Sequence, residues 1–265
     1  MNRLISAEAT RLLSSRLWLG ALIGALVCGG ALIGGLTLLG PENFDPPMPG
    51  LDTEEGVRGL LGMLSFTVFV PAALGTLAVT SEYRHRTISF TFLFEPRRWR
   101  VLVAKLITFA VAGLCYGAIV AGTAGAALYG GAAARDITLG LPGATVAELL
   151  VRVALAMAAF MVIGVGFGAL IRNQIAALAA VVGYLYMVEL VLLAVPGINA
   201  AYPYLPGGAT ASLTGFTYLA DAIAEQTSGS SSTLLSAPLG ALVLAGYAIV
   251  AAALAVAVPL RRDVT

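Results

Sequence analysis

The sequence has few charged residues. They make up only 11 % of its 265 residues, whereas apolar residues make up 59 % and the mean hydropathy is +0.92. An ordinary soluble domain has roughly 25 % charged residues, so this chain has too few to cover a surface in contact with water. The composition excludes a soluble globular enzyme and, because apolar residues dominate, an intrinsically disordered chain. The formal net charge of +1 gives no reason to expect nucleic acid as a partner.

Three residue types are scarce enough to exclude particular chemistry. The single lysine, Lys105, follows Ala104, so the Gly-Lys-Ser/Thr sequence of a phosphate-binding P-loop is absent. The single histidine, His85, excludes a zinc site built on a histidine pair. The two cysteines, Cys28 and Cys115, lie in separate apolar runs, where cysteine usually acts as a small apolar side chain. We therefore expect no metal site or cofactor in this chain, and any hydrolysis of a nucleoside triphosphate would have to come from another chain.

Six long apolar segments predict an all-α integral membrane protein. Crossing a hydrocarbon core of about 30 Å takes about 20 helical residues, and no segment alternates as a β-strand does. We expect one transmembrane domain over residues 1–265, with spans at about 17–39, 59–80, 101–130, 147–171, 174–195 and 237–260. The third segment is long enough to tilt or to break near its glycines. The first exceeds a signal-peptide core of about 7–15 residues, which favours a retained span.

The basic residues are concentrated at the two ends of the chain and in every second connection between the predicted spans. Nearly all of them precede span one, lie between spans two and three or four and five, or follow span six. Cytoplasmic connections carry the excess of lysine and arginine in membrane proteins. The sequence therefore predicts a multi-pass protein of the cell membrane with both termini in the cytoplasm. The excess of alanine and glycine favours a bacterial source.

Two segments outside the spans carry further structural signals. Residues 2–16 predict an amphipathic helix in the inner membrane interface, because their apolar residues share one face; a frayed, charged tail is the alternative. The outer loop at 196–236 is long, largely apolar and broken by Pro203 and Pro206. We expect it to form a re-entrant hairpin, which a membrane tolerates where protein covers its backbone.

The segment between spans two and three, residues 81–100, is rich in arginine. Thr80 or Ser81 is expected to cap a short cytoplasmic helix over roughly 82–94, and Pro96 suits the first turn of the next helix. The composition also has an explanation that needs no partner. Basic residues are retained on the cytoplasmic side of a membrane, and Trp99 could anchor the chain at the interface.

This segment resembles the E-Y-R-x-G-T-[IL] … P-x-[RS]-R … [AS]-K pattern of type-2 ATP-binding-cassette (ABC) transporter permeases. The six spans, the N-terminal helix and the long loop after span five are also similar, so the resemblance covers nearly the whole chain. It implies that the segment forms a coupling helix that docks into an ATPase subunit. The positions that it assigns to coupling are Glu82, Tyr83, Arg84, His85, Arg86, Thr87, Ile88, Phe92, Pro96 and Arg98. Arg86 stands where that family commonly has glycine.

The resemblance implies a permease subunit of an ATP-driven exporter. Two permeases, identical or homologous, would form the pathway in the lipid membrane, and two ABC ATPase subunits would bind ATP and Mg²⁺. The apolar spans suit an amphipathic cargo such as a drug, a peptide antibiotic or a lipid. The alternative is a membrane sensor or immunity subunit that has the same fold and transports nothing.

The two ionisable residues that lie deepest within the predicted spans each cost about 2.5–3.5 kcal/mol to insert. Glu189 in span five and Arg152 in span four lie at similar depths below the outer surface. They could form an ion pair between these spans, or Glu189 could face a transport pathway. Glu148, four residues before Arg152, is a competing partner on the same helix. Both side chains could also simply extend towards the membrane interface.

Overall fold

The computed structural model describes residues 1–44, 47–85, 97–171, 173–195, 197–227 and 233–257, with the backbone alone at 98 and 225–227. The described residues are helical and include no strand. Six of their helices are long and apolar enough to cross a membrane. The spans run Leu17–Leu39, Glu54–Arg84, Arg98–Ala134, Gly143–Leu170, Gln174–Ala194 and Ala237–Ala257. The prediction of six helical spans is confirmed.

Span three is a single helix of 37 residues. At 1.5 Å per residue it is about 55 Å long, well beyond a hydrocarbon core of about 30 Å. Although the sequence allowed a break at its glycines, the helix continues through them. Gly113 and Gly117 instead lie against span four, where a Cβ atom at Gly117 would lie 2.5 Å from the Ala154 carbonyl oxygen. The missing side chains therefore allow spans three and four to approach closely.

Span two contains a short 3₁₀ turn. Its helix begins after Thr53, whose hydroxyl accepts a hydrogen bond from the Gly56 amide at 3.0 Å. The turn Met63–Thr67 then interrupts the α-helix, which resumes at Phe69–Arg84. Pro71 explains this interruption, because proline lacks an amide hydrogen and its ring clashes with the carbonyl of the residue four positions earlier, Thr67.

Span four lies at the centre of the bundle and packs against spans two, three and six. One polar contact joins it to span two: the Thr76 hydroxyl donates to the Gly164 carbonyl at 3.1 Å and to the Ala72 carbonyl at 2.9 Å. In spans one, five and six, less than a quarter of the apolar window is buried. A central group of three spans is thus flanked by three whose apolar surfaces are open to lipid or to another chain.

The charged residues divide the bundle into two ends. One end, which we call the basic end, holds the N-terminal helix Asn2–Ser14, the end of span two and the start of span three. The acidic end holds residues 40–44, 47–55 and 135–143, which meet where Arg135 pairs with Glu42 and where the Gly140 amide donates to the Leu51 carbonyl at 2.9 Å. A backbone hydrogen bond lowers the pKa of the Glu42 carboxyl, and Arg135 adds to this effect.

A 3₁₀ helix, Asn199–Tyr204, and two short α-helices follow span five at the acidic end. The Pro206 helix, Pro206–Thr214, is almost wholly buried and packs against span six. It ends at Gly215, whose φ of 72° suits a residue without a Cβ atom, and the Tyr218 helix, Tyr218–Thr227, follows. Helices are thus present within the described residues 197–227, and the re-entrant hairpin expected for this segment stays a prediction.

The N-terminal helix is present over Asn2–Ser14, close to the predicted 2–16. Leu12 packs against the core, but Leu13 is 68 % exposed and the one residue buried in this helix is Glu8. The side of this helix that faces the protein thus carries an acidic side chain as well as apolar ones.

Candidate functional site

The end of span two differs from the sequence-based expectation. Thr80 and Ser81 were expected to cap a separate short helix, but the helix continues unbroken through them to Arg84. The Thr80 hydroxyl donates to the Thr76 carbonyl at 2.9 Å, within the same helix. The prediction of a cap was wrong, because Thr80 lies in the middle of a buried helical turn. Glu82, Tyr83 and Arg84 therefore belong to span two and are held rigidly by it.

Four charged side chains meet at the basic end, and we call them the ion cluster: Glu8, Arg11, Glu82 and Lys105. Lys105 Nζ lies 2.6 Å from Glu8 Oε2 and 2.7 Å from Glu82 Oε1. Arg11 Nη1 lies 2.7 Å from Glu82 Oε1 and 3.0 Å from Glu8 Oε1. Two carboxylates thus face two cations, so that the formal charge of the cluster is zero.

The ion cluster joins three helices. Glu8 and Arg11 come from the N-terminal helix, Glu82 from span two and Lys105 from span three. Lys105 is only 2 % exposed, and the removal of one partner from a buried ion pair typically costs about 3–5 kcal/mol because it leaves an uncompensated charge. The two helix ends that flank the segment 86–96 are therefore fixed to each other and to the N-terminal helix.

Glu82 is therefore buried and paired within the chain, rather than presented to a partner as the sequence-based interpretation had it. A direct contact of its carboxylate with another protein would require the ion cluster to open. Its contribution to any docking surface is to position the end of span two. Sequence reasoning missed the role of Glu8. The overlooked signal was its spacing: Glu8 lies four residues before Leu12, on the side of the helix that faces the core, so it needed a buried cation as a partner. The chain has only one lysine, Lys105, that could be this cation in addition to its arginines.

The neighbouring coupling candidates have different surroundings. Tyr83 packs partly buried against the core, whereas Arg84 is exposed and its Nη1 donates to Gln174 Oε1 of span five at 3.3 Å. His85 is exposed and borders a cavity of about 330 Å³ beside the ion cluster. Arg84 and His85 are thus the coupling candidates open to a partner among the described residues 82–85.

The remaining coupling candidates cannot be assigned a place. Arg86, Thr87, Ile88, Phe92 and Pro96 lie outside the described residues. Arg98 begins the helix of span three, and its side chain also lies outside them. Near it, Arg97 and Trp99 are exposed, and the Arg100 guanidinium lies 5.6 Å from the centre of the Trp99 ring.

The two intramembrane charges do not pair with each other. Arg152 pairs with Glu148, the competing partner on its own helix, and its Nη1 donates to the Leu213 carbonyl at 3.4 Å. Glu189 is 2 % exposed and accepts a hydrogen bond from the Gly207 amide at 2.8 Å. Of the alternatives that the sequence left open, the Arg152–Glu148 pair is present and the Glu189–Arg152 pair is not, because span five turns Glu189 towards the Pro206 helix.

Glu189 follows a local irregularity in span five. The α-helix Gln174–Gly183 widens into a π-helical turn at Tyr184–Val188 before it resumes at Glu189. Such turns alter the face on which the following residues lie and are frequent at functional sites. The Tyr186 hydroxyl within this turn bonds to the Phe66 carbonyl in the 3₁₀ turn of span two. No sequence pattern pointed to this contact.

The chain matches no protein-family model and no curated protein.

Proposed function

We propose that this chain is the membrane-spanning permease subunit of an ATP-driven exporter that resembles the type-2 ABC permeases. Two permeases would enclose the pathway in a bacterial cell membrane, with both termini in the cytoplasm. Two separate ATPase subunits would dock at the basic end, since this chain has no P-loop with which to bind ATP and Mg²⁺. The cargo would be amphipathic.

One observation carries this proposal: the ion cluster joins the two helix ends that border the segment 86–96. A coupling element must pass movement from a docked ATPase into the spans, so that its attachment has to be stiff. Lys105 is buried between Glu8 and Glu82, and a network of this kind rigidifies the groups that it connects. A displacement of the segment would therefore move spans two and three together with the N-terminal helix.

A second feature agrees with a dimer. Spans one and five each have about a fifth or less of their apolar window buried, and they carry exposed large side chains such as Ile23 and Met187. Small residues allow close helix contact, and Gly20 of span one has open space beside it. A second permease copy could occupy part of this surface, and lipid the rest.

The test is purification of the tagged chain from native membranes, followed by mass spectrometry and ATPase assays. We expect an ATPase with a P-loop to co-purify in stoichiometric amount, and its activity in a reconstituted complex to rise with an amphipathic cargo. Arg84→Ala should reduce the recovered ATPase at least fivefold, because Arg84 is exposed at the basic end.

Arg58→Ala is the matched control, since Arg58 lies at the acidic end, where it pairs with Glu54 at 2.8 Å. It should leave recovery of the ATPase unchanged. Isolation of the chain alone from native membranes in mild detergent would contradict the proposal. Co-purification of an ATPase that does not respond to cargo would favour the sensor or immunity subunit.

A further inference from the structure

A cavity of about 200 Å³ lies between span two, span five and the Pro206 helix. Its wall contains four aromatic rings, those of Phe66, Tyr186, Tyr202 and Phe216, together with the carboxylate of Glu189. Phe66 and Phe216 meet edge to face, with ring centres 5.6 Å apart. The cavity therefore combines one acid with aromatic surfaces inside an apolar bundle.

The Glu189 carboxylate is held in one orientation. Its Oε2 accepts from the Gly207 amide at the start of the Pro206 helix, where the helix dipole favours a negative charge. A Cβ atom at Gly207 would lie 2.2 Å from Oε2, so that the contact depends on glycine. Oε1 is buried and has no hydrogen-bond partner among the described residues. One carboxylate oxygen is thus fixed by the backbone, while the other remains available.

The described residues that line the cavity include no lysine, arginine or histidine. A buried carboxylate without a compensating partner is costly, so a positively charged ligand would gain from entering. Aromatic faces also attract cations, most strongly where water is excluded. Burial raises the pKa of the Tyr202 hydroxyl, so that this side chain adds no negative charge to the cavity.

The size of the cavity limits what it can hold. Pockets for drug-sized ligands measure about 300–1,000 Å³, so about 200 Å³ suits an end group rather than a whole molecule. Phe66, Tyr186 and Leu190 line it and are each 37–42 % exposed. A ligand's apolar body could therefore leave through this side and lie along the exposed face of span five.

We propose that this cavity binds the protonated amine end of an amphipathic organic cation, with an ammonium N–H donating to Glu189 Oε1 and the aromatic rings surrounding the charge. The site deepens the proposed export function by naming the charged end of the cargo, and its transport role rests on that function. The ammonium could belong to a free amphipathic amine or to a lipid headgroup.

The test uses the full chain alone, in phosphatidylcholine nanodiscs without ATPase. Phenethylammonium is the probe, and the neutral 2-phenylethanol and the anionic 3-phenylpropanoate are ligand controls. We expect saturable binding of the cation by calorimetry and a rise in Tm, with at least tenfold weaker binding of both controls. Glu189→Gln, which keeps an acceptor for the Gly207 amide, should weaken cation binding at least tenfold.

Glu148→Gln is the matched control because it removes an acid from span four that does not line the cavity; binding should change less than twofold. If Glu189→Gln does not fold, Leu190→Trp tests the site with the carboxylate intact, because Leu190 is exposed and its replacement narrows the opening. It should also weaken binding at least tenfold. Equal binding by wild type and a folded variant, or equal binding of the alcohol, would overturn the proposal.

Replacing half of the phosphatidylcholine with phosphatidylethanolamine distinguishes the two sources. Competition by this lipid, seen as a lower apparent affinity for phenethylammonium, would identify a lipid headgroup as an occupant; unchanged affinity would identify a free amine. The binding test contains no ATPase, so its result is independent of the co-purification test. If the chain binds the cation but co-purifies with no ATPase, only the exporter proposal is refuted. Recruitment of an ATPase by a chain that binds no cation would refute this site alone.

Discussion

Gly164 of span four packs directly against Ala72 of span two. A Cβ atom at position 164 would lie only 2.0 Å from the Ala72 carbonyl oxygen, a distance that requires one helix to move. The Thr76 hydroxyl bonds to the carbonyl of the same glycine at 3.1 Å. The absence of a side chain at Gly164 therefore allows both the close packing and the hydrogen bond between these spans.

We predict that Gly164→Ala destabilises the chain by about 1–3 kcal/mol, the usual cost of overpacking a tight core. Thermal unfolding of the purified chain, followed by size-exclusion chromatography, measures the change. Gly246→Ala in span six is the control, because nothing lies within 4 Å of its Cβ position. The control should be neutral or slightly stabilising, since alanine favours a helix by roughly 1 kcal/mol over glycine. Equal stability of the two variants would argue against this packing.

A second prediction concerns the ion cluster. Lys105→Met removes the buried cation that lies between Glu8 and Glu82, whereas Arg11, which also pairs with both carboxylates, is half-exposed. We therefore expect a loss of about 3–5 kcal/mol. Arg97→Met, which removes an exposed cation near the same end, should change stability by less than about 0.5 kcal/mol. Denaturation of both variants in the same detergent provides the comparison.

A partial rescue tests whether this loss has an electrostatic origin. The double variant Glu8→Gln with Lys105→Met leaves Glu82 paired with Arg11 and removes the excess carboxylate. Residues in one ion network typically show coupling of about 0.5–3 kcal/mol. We expect the double variant to be more stable than Lys105→Met alone; additive losses would indicate that packing, rather than charge, determines the effect.

A third prediction follows from the separation of Glu189 and Arg152. Because Arg152 pairs with Glu148, the variants Glu189→Gln and Arg152→Gln should have independent effects on stability. Their sum should match the double variant within about 0.5 kcal/mol in a double-mutant cycle. Arg152→Gln and Glu148→Gln form the positive control, which should show coupling. Coupling between positions 152 and 189 would contradict this independence and would show that the two side chains interact, directly or through the Pro206 helix that both contact.

The fourth prediction tests orientation. In a chain with Cys28→Ala and Cys115→Ala, Asp52→Cys places a thiol at an exposed position of the acidic end, and Arg97→Cys places one at the basic end. A membrane-impermeant maleimide should label position 52 in intact cells and position 97 only after permeabilisation. The opposite pattern would reverse the predicted topology.

The sequence was sufficient to predict the spans because the bilayer imposes a minimum length of apolar helix. Spans five and six illustrate this: the predictions 174–195 and 237–260 correspond to helices at Gln174–Ala194 and Ala237–Ala257. Span two began earlier than its apolar run, at Glu54, because the Thr53 cap and the acidic first turn stabilise the helix start.

The partners of buried charges could not be predicted in the same way. Counting residues along a helix gives the depth of Glu189, but its direction depends on rotation of the helix about its axis. The π-helical turn at Tyr184–Val188 and packing against the Pro206 helix set that rotation. For the same reason, the sequence placed Glu82 in a separate helix, whereas continuation of span two turns it towards Lys105.

Span three also has a mechanical consequence. It is an unbroken helix of 37 residues. If it tilts about its midpoint as one rigid body, a tilt of about 10° shifts each end by about 5 Å. Near its start, Lys105 pairs with Glu8 of the N-terminal helix. Directly after its other end, Arg135 pairs with Glu42 and donates a hydrogen bond to the Thr37 carbonyl. If span three tilts as one rigid body, a displacement of its start near position 98 would therefore move the residues around Glu42 at the acidic end in the opposite direction.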